Sequence, residues 1–197
     1  MAAPTADEIC RHLCYELKWM LGAVVRFEER TQEVRSTTAG ASAPDDAELV
    51  ALQDSALLHA RNLIEFAAAT ADPTLEDPRW ALSDILGTHS RKVPGNVSRF
   101  LNNWVVHIGT GRASESKWPK DLEGNAIAND DDERLSRVVD VVFKLLKPKH
   151  RTTTLLTDEG AAYVELLERA RDYFEQRTPD AFEQLTCDGL PVKPKRR

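Results

Sequence analysis

Thr5 and Glu8, three residues apart, open a long helical pattern that sets the class of this chain. Thr-x-x-Glu is a capping box, in which each side chain satisfies a backbone N–H that the first helical turn leaves without a partner. Behind it, Ile9, Leu13, Leu17, Met20, Leu21, Val24 and Phe27 recur at the spacing of one helix face. The pattern predicts a helix to about Arg35, and its apolar face must be buried by other elements.

Those elements also read as helices. "STTAGASAPDDAE" is small, polar and turn-rich, and reads as a surface loop. A second helix starts near Asp45 or Asp46, whose charges suit a helix N-terminus, with Leu52, Ala56, Leu63 and Ala67 along its centre line. Pro73 and Pro78 stop it. A short helix is expected around Trp80 to Leu86. A third long helix opens near Asn96, carries "VSRFLNNWVVHI" and ends at Gly109 and Gly111, since glycine tolerates the left-handed backbone of such ends. "NDDDERLSRVVDVVFKLLK" and "TDEGAAYVELLERARDYFEQR" are two more amphipathic helices. No strand and no internal repeat is visible. The expectation is an all-α bundle of about five longer helices in a single domain over residues 1–185, with a flexible basic tail over 186–197 ("KPKRR").

Composition narrows the function classes. A net charge of -6 argues against wholesale coating of nucleic acid, although "KLLKPKHR" and the tail are local basic stretches. "MAAPTADEIC" has neither a basic start nor an apolar run, so no signal peptide is read. No apolar stretch approaches the roughly 20 residues that span a bilayer. A cytoplasmic location is expected. The three cysteines, Cys10, Cys14 and Cys187, fit a reducing compartment better than a disulfide framework. Cys10 and Cys14 share a helix face and read as buried thiols. No second ligand cluster accompanies them, so no metal site is expected. Gly-x-Gly-x-x-Gly, P-loop and Gly-x-Ser-x-Gly patterns are missing, and no cofactor is expected. "NDDDE" lacks the glycine and terminal glutamate of a calcium loop.

Two segments hold the candidate site residues. In "LNNWVVHIGTGR", His107 falls at the edge of the apolar arc, Asn103 lies one turn before it, and Arg112 follows the helix end. An Asn-to-His hydrogen bond would fix the imidazole tautomer, and the arginine would supply charge at the helix terminus. In "HARNLIEF", His59 sits at one edge of the apolar face, Arg61 about 160° away around the helix, and Asn62 points outward from the core arc. Arg61 and Glu65 are placed to pair. Trp118, with Pro119, is an anchor or ligand platform in the long polar connection. The bland alternatives are a structural histidine at each edge, a packing arginine at 61 and helix-end capping by Arg112.

The order "HARNLIEF", "HIGTGR", "KWP" resembles an uncharacterised bacterial helical family with HxRNLxxF and HLTxxR-type motifs, over about residues 45 to 148. Gly109 stands where that family has threonine. More loosely, the chain resembles HEPN domains, helical bundles that are often dimeric and often cleave RNA without a metal through an Arg-x(4–6)-His motif. The second resemblance implies that His107 takes the histidine role. Positions 100 to 102 hold Phe, Leu and Asn where the arginine belongs, and Arg99 lies one residue outside the motif. Two readings follow. The first is a HEPN-like module acting by self-association or by binding a protein or RNA partner, in a stress or defence setting. The second is a divergent metal-independent ribonuclease using His107 with Arg112, Arg61 or Arg99. Whether the chain is an enzyme stays open at this point.

Overall fold

The computed structural model describes residues 5–37, 47–68, 131–148, 158–177 and 182–188. Among these the chain is all-α, with four helices and no strand: α1 (Ala6–Thr37), α2 (Ala47–Ala68), α3 (Asp131–Leu146) and α4 (Asp158–Gln176). The expected short helix near Trp80 and the helix opening at Asn96 lie outside the described residues.

The capping box forms as the sequence predicts. The Thr5 N–H donates to Glu8 Oε2 at 2.7 Å and the Glu8 N–H donates to Thr5 Oγ1 at 3.3 Å. At the other end of α1 the Ser36 and Thr37 hydroxyls bond back to the Glu33 carbonyl, at 2.7 and 3.0 Å, and the Thr37 hydroxyl also reaches the Val34 carbonyl of the last turn at 3.0 Å. In between, Ile9, Leu13, Leu17, Met20, Leu21 and Val24 are each 2% exposed or less. At 1.5 Å per residue, a helix of 32 residues is about 48 Å long and serves as the spine. α2, α3 and α4 all pack against it, and α2 also meets α3.

Helix α2 contributes Ala56, Leu57, Ala60, Leu63, Ile64 and Ala67 to the shared core. Its small alanines let the two backbones approach. α3 buries Leu135, Val139, Val142 and Leu146, and Pro148 follows where the helix stops. α4 buries Ala162, Tyr163, Leu166 and Ala170, all with no exposed surface. The Tyr163 hydroxyl donates to the Leu146 carbonyl at 2.6 Å, which satisfies the buried phenol and the last turn of α3 together.

Arg177, the residue after α4, takes a positive φ of 54°. That left-handed position usually falls to glycine, because a Cβ there crowds the carbonyl. Contacts of the side chain offset the cost. The guanidinium donates to Glu28 at 2.8 and 3.0 Å and lies 3.9 Å above the Phe174 ring. Ser136 of α3 also donates to Glu28, so α1, α3 and α4 meet at one carboxylate.

Residues 182–188 lie along α1 in the opposite sense. Phe182 packs near Gly22, Lys18 Nζ donates to the Glu183 carbonyl at 3.2 Å, Cys14 Sγ to the Leu185 carbonyl at 3.2 Å, and Cys187 Sγ to the Cys10 carbonyl at 3.1 Å. Phe182 and Leu185 are buried. The packed segment therefore includes Thr186, Cys187 and Asp188, and Arg169 of α4 donates to the Asp188 carbonyl at 3.3 Å.

Candidate functional site

The polar residue that organises the α1–α2 interface is Glu16, whose side chain is only 6% exposed. On the α1 wheel it falls about 20° from Ile9 and Phe27, at the edge of the apolar arc, so the same packing that buries them buries its carboxylate. A buried charge must find donors. Two come from α2. His59 Nδ1 lies 2.8 Å from Glu16 Oε2, and Asn62 Nδ2 donates to the same oxygen at 3.1 Å. His12, one turn back on α1, places Nε2 3.5 Å from Oε1.

Burial pushes the Glu16 carboxyl up, but the hydrogen bonds from His59 and Asn62 and the charge of the nearby imidazoles outweigh it, and the net shift is downward. Glu16 is therefore ionised at neutral pH and can only accept. The carboxylate therefore accepts from His59 Nδ1–H, and Nε2 lies on the far side of the ring. A carboxylate oriented on Nδ1 is the arrangement acid–base catalysts use to present Nε2.

Two aromatic side chains of α1 flank that imidazole. Trp19 lies nearly parallel to it, at 19° and 6.4 Å between centroids, and Tyr15 meets it edge-on at 5.8 Å. Both aromatics are about half exposed, 51% and 52%, whereas the His59 side chain is 12% exposed. Leu58, beside His59 in sequence, is also exposed. The result is an aromatic face backed by a rigid polar cluster that crosses two helices.

The predicted residues divide as follows. His59 and Asn62 are brought together on Glu16. The outward direction expected for Asn62 is corrected: it sits close enough to α1 for its amide to share Glu16 Oε2 with His59. Arg61 pairs with Glu65 at 2.8 Å, as the spacing suggested, and does not join the cluster. Asn103, His107, Arg112 and Trp118 lie outside the described residues. Sequence reasoning missed Glu16, Tyr15 and Trp19. The signal for Glu16 was present, because a glutamate at a core-facing helix position demands a partner.

Other clusters carry less chemistry. A depression of about 320 Å³ is lined by Asp140, Phe143, Arg171, Phe174, Glu175 and Arg177, but its arginines are engaged, Arg171 with Glu175 and Arg177 with Glu28. Among the described residues, no group of three or more His, Cys, Asp or Glu is placed to hold a metal ion. None of the described helices is long and apolar enough to cross a membrane. No protein-family model matches the chain, and comparison with curated proteins and with solved structures finds no match.

Proposed function

We propose that this chain is a HEPN-like bundle of about five longer helices that works by self-association, with the face of Tyr15, Trp19 and His59 as its docking surface. The observation that carries the reading is the pair of half-exposed rings held against an imidazole that Glu16 and Asn62 lock in place. Tyrosine and tryptophan are enriched among the residues that dominate binding energy. Rings already fixed in position lose little entropy on docking. The resemblance to HEPN domains, often dimeric, supports a second copy as the occupant.

Sedimentation velocity over a wide concentration range tests this, with Tyr15→Ala/Trp19→Ala alongside and far-UV circular dichroism to verify its fold. Each truncated anchor costs about 2 kcal/mol, about 4 kcal/mol for the pair, so the double variant should dissociate at concentrations about 10³-fold higher. A wild-type protein that stays monomeric throughout, or a variant that associates equally well, refutes the reading.

One observation favours a second reading, a metal-independent ribonuclease: a carboxylate holds His59 by Nδ1, the orientation that turns Nε2 away from its partner. On that reading His59 or His107 takes the proton of a ribose 2′-hydroxyl, and Arg61, Arg99 or Arg112 stabilises the charge on the attacked phosphate. RNA incubated with the protein in chelator, beside His59→Ala and His107→Ala, decides it. Cleavage lost in either variant supports this reading, and intact RNA with the wild type removes it.

A further inference from the structure

All three cysteines of the chain converge where residues 182–188 lie on α1. In an α-helix the carbonyl of residue 10 points toward the N–H of residue 14. Cys187 Sγ, 3.1 Å from the Cys10 carbonyl, is therefore level with Cys14. Cys14 Sγ in turn donates to the Leu185 carbonyl at 3.2 Å, two residues from Cys187. Each S–H is thus held by a carbonyl of the other segment, which brings the two sulfurs to the same level of α1. Cys10 and Cys14 are buried, and Cys187 is half-buried at the rim, the side from which a small solute arrives.

We propose that Cys14 and Cys187 form a reversible disulfide clasp that locks residues 182–188 onto α1 when the protein meets a peroxide. The pairing is selective by geometry. A Cys10–Cys14 bond would join two turns of one helix and restrain nothing else, whereas Cys14–Cys187 ties segments 173 positions apart.

The chemistry divides between the two sulfurs. Contact with the Cys187 sulfur outweighs burial and holds the Cys14 thiol below its ordinary value, with help from the Lys18 charge, while Cys187 is pushed up by the same contact and by burial. Lys18, one turn on from Cys14 and held over the same segment by the Glu183 carbonyl, sets a positive charge beside Cys14 and makes it the nucleophile. Its thiolate attacks one peroxide oxygen, the O–O bond breaks, and the other oxygen leaves as water after taking a proton, giving a sulfenic acid on Cys14. The Cys187 sulfur then attacks the Cys14 sulfur. The S–S bond forms, the S–O bond breaks, and the sulfenic hydroxyl leaves as water with the Cys187 proton. Two thiols and one hydrogen peroxide become one disulfide and two waters. A thiol reductant reverses the step.

Mass spectrometry of the full chain, treated with hydrogen peroxide and then alkylated, tests the pairing. The expected result is a monomer lighter by two hydrogen atoms, yielding one linked peptide that contains Cys14 and Cys187. The link is retained in Cys10→Ser and lost in Cys187→Ser, a variant at a half-exposed position that leaves the core intact. Amide exchange over residues 182–188 should slow at least tenfold in the oxidised protein and recover with dithiothreitol. A link through Cys10, a disulfide between two chains, sulfinic acid on Cys14 without a link, or a link that leaves exchange unchanged would each overturn the clasp.

Discussion

Replacing Glu16 by alanine removes the acceptor shared by two donors of α2. His59 Nδ1 at 2.8 Å and Asn62 Nδ2 at 3.1 Å lose a carboxylate that is 6% exposed, in a place with little water to replace it. A hydrogen bond to a charged group contributes about 1.5–3 kcal/mol, so the two together represent roughly 3–6 kcal/mol. Relief of the carboxylate's desolvation gives part of this back. Alanine's better helix propensity returns only a few tenths of a kcal/mol. The net expectation is a loss of about 3 kcal/mol at pH 7. With a urea slope of about 2 kcal/mol per M, the unfolding midpoint falls by about 1.5 M, read by circular dichroism at the helical band. The gap between wild type and variant must also depend on pH. The folded Glu16 carboxyl titrates below its ordinary 4.5, so its contribution is complete above that value and fades as pH falls through the folded pKa. His12, His59 and Asn62 are the groups that face it. A midpoint shift under about 0.25 M at pH 7, or a gap that stays constant down to pH 3, refutes the view that this carboxylate fastens α1 to α2.

Tyr163→Phe leaves the buried Leu146 carbonyl without its donor and should cost about 1–2 kcal/mol in the same urea assay. Arg177→Ala keeps the left-handed backbone but loses Glu28 and the Phe174 ring, for about 1–2 kcal/mol; Arg177→Gly should recover roughly 1 kcal/mol of that, seen as a partial return of the thermal midpoint. Thr5→Ala breaks the capping box and should cost about 1 kcal/mol, with faster amide exchange confined to the first turn of α1.

Periodic features were the most legible in the sequence. The capping box at Thr5, the stripe from Ile9 to Val24 and the shared face of Cys10 and Cys14 depend on residues within one or two turns of each other, and all three are present as read. The Arg61–Glu65 pair is legible for the same reason. What escaped was long-range. Asn62 looks outward on its own helix, and only the approach of α1 turns that position into an interface. Glu16 was visible as a charge on an apolar edge, but its partners belong to another helix. The meeting of Cys187 with Cys14 depends on the path of the chain after α4, which no local pattern encodes. Periodicity puts His59 at the edge of its face, and its orientation becomes legible only with the carboxylate across from it.

The strip of α1 from Cys10 to Gly22 is covered by residues made much later. Its contacts with Leu185 and Cys187 span 171 and 177 positions. At about 5–20 residues per second, ribosomes would deliver that cover roughly 8–35 s after α1 has emerged. Throughout that interval this strip of a long amphipathic helix is without its cover. The same separations, with those by which α3 and α4 meet α1, raise the contact order, so folding should be slower than the helical content suggests.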